Sequence, residues 1–186
     1  MNKWIILSIL LVLVSCKSKK DEEEEKTLVS VVSLIEEQVK KVETSLYRIT
    51  MIQKIDSTAD TTIISREDFR KIAKDFLTLP DISSEKMKEN YDESNSYDKD
   101  MELALFTYTA KDPDVEIRRE TIMLEPNPTG GDSKVKSILI NSIRSDKDST
   151  IEKDMTWHLG NRFQVVSKIR IPGQPEKIRI LQIRWE

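Results

Sequence analysis

The sequence predicts an α+β fold in which amphipathic N-terminal helices pack on a roughly six-stranded antiparallel meander sheet. Two observations support this fold class. In the first half of the chain, apolar residues recur every three or four positions, which is the spacing of one helix face. After Met101, short runs rich in β-branched and aromatic residues alternate with clusters of turn-forming residues. Because such a sheet has an apolar face to bury, the helices are its expected partner.

A first amphipathic helix is predicted to begin near Thr27. The residues of its apolar face are Leu28, Val32, Ile35, Val39, Val42 and Leu46. Residues 46–64 fit two structures, a continuation of this helix or a hairpin with a turn at residues 56–60. The hairpin is preferred, because a continued helix of about thirty residues would be roughly 45 Å long, more than such a domain is wide. The segment is also rich in strand-forming residues.

A second helix is predicted after Ser65, which suits the N-cap position. Ile64 and Phe69 have the spacing of a hydrophobic staple, although Asp68 stands where a capping box has Glu or Gln. Pro80 ends the helix. Its apolar face consists of Phe69, Ile72, Ala73, Phe76 and Leu77. The polar residues 81–100 are expected to form a loop, with one short helical turn near residues 84–91.

Six strands are predicted in the C-terminal part of the chain. Turn-forming residues separate them, and consecutive strands on short connections make an antiparallel meander. The strands span residues 102–110, 115–124, 134–143, 150–159, 162–171 and 177–185.

Composition limits the chemistry that this chain can perform. Of its 186 residues, 38% are hydrophobic and 34% are charged, as in a globular domain with a well-solvated surface. The single Cys and the single His leave no intrachain disulfide, no Cys-based metal site and almost no His-dependent site. We therefore expect neither a cofactor nor a metal.

The net charge of −3 hides an asymmetry along the chain. Residues 17–133 contain 18 basic and 27 acidic side chains, whereas residues 134–186 contain 11 and 6. The basic C-terminal part could meet anionic headgroups, a sugar phosphate or an acidic partner. It could also face the acidic half of its own fold, which is the preferred interpretation. Nucleic acid is not an expected partner, because no binding module for it is recognisable.

Few residues are candidates for a functional site, and no catalytic residue is assigned. His158 follows Trp157 in a strand without a second His, so a solvent-facing position is expected. Residues 92–100 could offer oxygen atoms to Ca²⁺ but lack the spacing of a calcium loop. Gly130 and Gly131 indicate a turn. The large aromatic residues of the sheet either form its core, which is preferred, or line a binding surface: Phe106, Tyr108, Trp157, Phe163 and Trp185.

The N-terminal segment has the features of a secretory signal. Lys3 precedes an apolar run over residues 4–14, which is too short to cross a bilayer as a helix. The sequence Leu-Val-Ser-Cys at residues 13–16 resembles the lipobox of bacterial lipoproteins, in which the Cys thiol receives a diacylglycerol and the signal is cut before the Cys. This resemblance implies lipid attachment at Cys16.

The expected organisation is a signal peptide at residues 1–15, a lipidated Cys with a charged tether at residues 16–26, and one α+β domain at residues 27–186. Within that domain, residues 27–100 hold the helical and hairpin part, and residues 101–186 hold the sheet.

Two further resemblances concern the tether and the domain. Lys17 follows the Cys, so the Asp that retains enteric lipoproteins in the inner membrane is absent. Residues 19–23 either resemble the export signal of some Bacteroidetes-type lipoproteins or form a plain charged spacer. The mature region is similar to uncharacterised Bacteroidetes-type envelope lipoproteins at residues 65–69, 79–82 and 172–177, a group without an assigned activity.

These resemblances imply a lipoprotein anchored in the bacterial cell envelope at the outer membrane, on its periplasmic or its surface-exposed side. Because no catalytic set is visible, the expected role is a non-enzymatic binding or structural module. Its expected partners are the membrane, through the lipid, and an envelope protein or glycan. The alternative is a carrier of an apolar ligand in the cavity of a curled sheet, and an envelope hydrolase is the third hypothesis.

Overall fold

The structure, a computed structural model, describes residues 29–55 and 58–186. Three helices and nine strands follow one another along this part of the chain. The helices are α1 (Val31–Thr44), α2 (Arg66–Leu77) and α3 (Glu85–Lys88). The strands are β1 (Ile49–Ile55), β2 (Thr58–Ile63), β3 (Tyr91–Asp98), β4 (Leu103–Ala110), β5 (Ile117–Glu125), β6 (Lys134–Ser145), β7 (Thr150–His158), β8 (Arg162–Arg170) and β9 (Lys177–Trp185).

All nine strands belong to one antiparallel sheet in the order β2-β1-β9-β8-β7-β6-β5-β4-β3. Strands β3 to β9 form a continuous meander, as expected for short connections between consecutive strands. The last strand, β9, then pairs with β1 along its whole length, from Ile49 opposite Trp185 to Ile55 opposite Arg179. The first and the last strand of the sequence order are therefore joined by backbone hydrogen bonds.

The predicted number of six strands is wrong. The six strands expected after residue 101 are present as β4 to β9. Residues 49–63 add the hairpin of β1 and β2, the preferred of the two interpretations for this segment. Strand β3 lies in the stretch that was expected to be a loop. Its sequence is poor in strand formers, but at the edge of the sheet only Tyr91 of this strand is buried, so pairing with β4 is sufficient to order it.

The helices do not form one N-terminal block as predicted, since α2 and α3 follow β1 and β2 in the chain, an order that the preferred hairpin already implied. Helix α1 ends at Thr44, where the hydroxyl of Ser45 donates a hydrogen bond to the carbonyl oxygen of Val42. Leu46, which was expected on the apolar face, is 97% exposed. The buried face has Val31 in place of the expected Val32 and otherwise consists, as expected, of Ile35, Val39 and Val42. Leu28 lies outside the described residues.

Helix α2 begins as its sequence predicts. The Ser65 hydroxyl oxygen accepts a hydrogen bond from the Asp68 backbone N–H at 3.0 Å, and its own proton is donated to the Asp68 carboxylate at 2.7 Å. Asp68 therefore serves the cap although it is not the Glu of a capping box. Arg70 binds α2 to α1 through Glu36 and Glu43, and Asp75 binds α2 to β7 through Lys153 at 2.8 Å.

The inner face of the sheet is the face on which α1 and α2 pack. Its centre is an aromatic cluster made by two residues of α2 and three of the sheet, namely Phe69, Phe76, Trp157, Phe163 and Trp185. Trp157 and Phe163 stack with their ring centroids 4.8 Å apart, and Phe76 meets Trp157 edge-on at 5.0 Å. All five side chains are buried, so the helices and the sheet share one apolar core.

The opposite side of the sheet, here called the outer face, carries the alternate residues of each strand. Because side chains of a strand point to opposite faces in turn, Trp157 inside implies Thr156 and His158 outside. Each of the three described helices contributes residues to the core or packs against it from the inner side. None of these described helices therefore covers the outer face.

We expect Phe76→Ala to lower the free energy of unfolding by about 3–5 kcal/mol, because it removes a fully buried ring and leaves a cavity beside Trp157. Leu46→Ala is the matched control and should change the stability by less than about 0.5 kcal/mol. Urea denaturation followed by tryptophan fluorescence measures both. A loss below about 1 kcal/mol for Phe76→Ala would contradict the proposed core.

Candidate functional site

The outer face contains a groove across β4 to β7, here called the outer groove. It has a volume of about 520 Å³ at one end of these strands and continues towards their middle in a second depression of about 240 Å³. The charged and polar residues that define it are Thr109, Lys111, Arg118, Arg119, Asn141 and Asp154. The continuation adds Thr121, Leu139 and Thr156. The groove is thus lined mainly by hydrogen-bonding groups.

Sheet register places the central residues of the groove in one row. Thr109 of β4 lies opposite Arg119 of β5, which lies opposite Asn141 of β6, which lies opposite Asp154 of β7. Directly opposed residues of antiparallel strands have Cβ atoms about 4.5–5.5 Å apart. A single ligand can therefore contact side chains from four strands.

A β-bulge shapes the basic end of this row. The pairing of β5 with β6 shifts register between Ile117 and Arg119, so Arg118 is the extra residue of the bulge. As a result, two consecutive arginines both line the groove instead of pointing to opposite faces. The Nε atom of Arg118 is buried and makes no hydrogen bond within the described residues.

The acidic end of the row is already neutralised. Asn141 Nδ2 donates a hydrogen bond to Asp154 Oδ1 at 2.7 Å, and Lys168 Nζ donates one to Asp154 Oδ2 at 3.2 Å. Burial alone would raise the pKa of Asp154, but these two hydrogen bonds, together with the charge of Lys168, lower it below its usual value. Asp154 is therefore ionised at neutral pH and fixes the orientation of the Asn141 amide.

On the inner face, one carboxyl group is buried without a partner. Glu120 is 3% exposed and lies opposite Tyr108 and Ile140 in the sheet. Its Oε1 atom has no hydrogen-bond partner in the described part of the chain. Burial, and to a smaller extent the charge of Asp81, raises the pKa of Glu120 to about 8. The side chain is thus mostly protonated at neutral pH and is out of reach of a substrate.

His158 lies on the outer face, half-buried, next to the buried Trp157. Its Nδ1 atom is 2.7 Å from the Ser137 hydroxyl, and its Nε2 atom is 3.4 Å from Nη2 of Arg162. Burial and the neighbouring Arg162 charge lower the pKa of His158, so the imidazole is neutral at pH 7. Among the described residues no carboxylate hydrogen-bonds to this imidazole, so the pair of Ser137 and His158 lacks the third member of a catalytic triad there.

The other residues that the sequence suggested for a site form strands, turns or the core in the structure, except for one that is not described. The stretch at residues 92–100 contains most of β3, and the Asp98 carboxylate accepts hydrogen bonds from two backbone N–H groups of the following turn. Among the described residues, no group of three or more potential ligands could hold a metal ion. Gly130 has a φ of +73° in the turn between β5 and β6. Trp157, Phe163, Trp185 and Tyr108 are core residues, and Phe106 packs against them. Cys16 lies outside the described residues.

The residues of the outer groove were missed by the sequence analysis, although a signal for them exists. Side chains of a regular strand alternate between the two faces of the sheet. Because Ile122 points inward, this alternation places Glu120 inside, Arg119 outside and Arg118 inside, where an unpaired charge is costly. A polar residue at an inward position of a strand is one mark of a bulge. The partnership of Asn141 with Asp154 had no comparable signal, because it depends on the register of β6 with β7.

Comparisons with known proteins found no relative of this chain. No family model matches the chain, and neither the search of curated proteins nor that of solved structures gave a match. In the part of the chain that the structure describes, no helix is long and apolar enough to span a membrane.

Glu120→Gln should remove a pH dependence of stability. The usual pKa of a Glu is 4.5 and that of folded Glu120 is about 8, so the folded state binds more protons than the unfolded state between these values. The free energy of unfolding therefore falls as the pH rises from about 4.5 to about 8, by up to about 1.4 kcal/mol per pH unit from this group. Urea midpoints from pH 5 to pH 9 should decline less steeply in Glu120→Gln than in the wild type.

The control for this experiment is Glu93→Gln. Glu93 is an exposed residue of β3 and lies opposite Tyr108 of β4. It should keep the pH dependence of the wild-type protein. Equal slopes for Glu120→Gln and the wild type would show that the carboxyl of Glu120 is ionised or solvated in the folded state.

Proposed function

We propose that this protein is a lipid-anchored binding module of the bacterial cell envelope, held at the outer membrane through Cys16. The anchor is supported by the Leu-Val-Ser-Cys sequence at residues 13–16 and by the charged tether that follows it. The role in binding is supported by one structural observation above all. The helices cover the inner face of the sheet, whereas the outer face carries an open groove lined by groups from four strands.

The two other hypotheses have less support. A carrier of an apolar ligand needs an apolar cavity on the inner face of the sheet, but the aromatic cluster and the apolar residues of α1 fill the centre of that face. A concavity of about 540 Å³ beside α1 has charged as well as apolar residues in its lining, among them Glu37 and Lys41. An envelope hydrolase needs a perturbed carboxyl that a substrate can reach. Glu120 is perturbed but buried, and in the small cleft of about 80 Å³ beside α2, Asp75 and Glu116 are both engaged in ion pairs.

The sequence of the tether also suggests on which side of the outer membrane the domain lies. We propose surface exposure as the working hypothesis, on the basis of the Lys-Lys-Asp-Glu-Glu run at residues 19–23. The alternative, a plain spacer on the periplasmic side, predicts that protease added to intact cells does not reach the domain. The same cells, once permeabilised, provide the comparison.

Cys16→Ala should abolish incorporation of a palmitate analogue and move the full-length protein from the membrane to the soluble fraction of cell lysates. The reason is that this thiol is the only one in the sequence, so no other Cys can take the diacylglycerol. Ser18→Ala is the matched control, since it changes a neighbouring residue of the tether and should keep both properties. Unchanged labelling of Cys16→Ala would refute the anchor.

A further inference from the structure

We propose that the outer groove binds an acidic saccharide, that is, a sugar unit that carries a carboxylate or a phosphate group. The inference deepens the proposed function, on which it rests, by naming the ligand class of the binding module. Arg119 and Arg118 would hold the anionic group, and the polar residues towards the middle of the strands would hold the hydroxyl groups of the sugar ring.

The basic end of the groove provides the first argument. The ion pairs around it join Lys111 to Asp92, Arg144 to Glu116 and Lys168 to Asp154, and none of those found among the described residues includes Arg118 or Arg119. Arg118 and Arg119 are consecutive cations that both line the groove, and the buried Nε of Arg118 has no acceptor among the described residues. A carboxylate or a phosphate bound there would supply acceptors for guanidinium groups.

The neighbouring polar row provides the second argument. Because the Asn141 amide and the Lys168 ammonium each take one oxygen of Asp154, the carboxylate keeps lone pairs that can accept hydrogen bonds from a ligand. Thr109 and Thr156 add hydroxyl groups that both donate and accept, whereas the hydroxyl of the buried Thr121 lies 3.1 Å from that of Thr107. This mixture of donors and acceptors matches the hydroxyl groups of a sugar ring.

The size and charge of the outer groove favour a small anionic ligand over a polyanion or an apolar molecule. A volume of about 520 Å³ falls within the range of about 300–1,000 Å³ that is usual for small-molecule sites. A polyanion would bring several charges near Asp112 and Asp114, which flank the lining residue Pro113, whereas a ligand with one anionic group brings a single charge. An apolar ligand would leave the charged and amide groups without partners.

The test uses the purified full-length protein in detergent and saturation-transfer NMR with three probes, glucuronate, glucose 6-phosphate and glucose, and with inorganic phosphate as a competitor. We expect transfer to the ring protons of at least one acidic sugar and an affinity for glucose weaker by about tenfold or more. Binding of glucuronate alone identifies the anionic group as a carboxylate, binding of glucose 6-phosphate alone identifies it as a phosphate, and both outcomes support the site. Inorganic phosphate should compete weakly, because it lacks the sugar contacts.

Arg119→Gln should weaken the binding of the acidic sugar by about tenfold or more, whereas Arg162→Gln, on the same outer face but outside the groove, should leave it unchanged. Arg119 is exposed, so its replacement should keep the fold, and a thermal unfolding curve of each variant checks this. The site is refuted if glucose binds as well as the acidic sugars, if none of the probes binds, or if both variants behave alike. Such a failure is separable from failure of the anchor, because labelling of Cys16 does not depend on the groove.

Discussion

The apolar inner face of the nine-stranded sheet must be kept out of water, and most other features of the structure follow from this constraint. Alternate residues of β6 to β9 place Ile138, Trp157, Phe163 and Ile183 in one cross-strand row, and all four are fully or almost fully buried. Strands alone cannot cover such a face, so α2 inserts Phe69 and Phe76 between the rings, and α1 adds a stripe of aliphatic residues. The hydrophobic transfer of these side chains, about 1.5–3 kcal/mol for each, is the main force that fixes the helices on the sheet.

All three described helices lie on the inner side of the sheet, and this has a consequence for function. The outer face must stay soluble by means of its own side chains, and it does so with cross-strand hydrogen bonds and ion pairs such as those of Asp154 with Asn141 and Lys168. Exposed ion pairs of this kind contribute little to stability. Their effect is instead to hold polar groups in fixed positions, which is what a binding surface requires. The bulge in β5 then turns a regular polar surface into a groove, because it directs two arginines towards the same space. The scaffold and the binding surface are in this way built on opposite faces of the same strands.

The sequence predicts the local elements well and their assembly less well. Helix α2 and strands β4 to β9 were predicted because Ser65, Pro80 and the turn residues act locally, over a few positions. Strand β3 was missed because its mostly polar sequence forms a strand only by pairing with β4, a contact that no local pattern reports. The end of α1 was misplaced because Leu46 continues the helical spacing although nothing in the fold is available to cover it. The outer groove was missed for a similar reason, since Arg119, Asn141 and Asp154 are far apart in sequence and meet only through register.

The central claim is that the sheet has a covered face and an open face, and thiol accessibility tests it most directly. The Cys16→Ala background removes the native thiol. In this background, Val165→Cys places a thiol on the inner face of β8 with little change in side-chain size, and Arg162→Cys places a thiol on the outer face of the same strand. With maleimide under native conditions, we predict rapid labelling of Arg162→Cys, whereas Val165→Cys reacts only as fast as the protein unfolds. Equally rapid labelling of both positions would contradict the account.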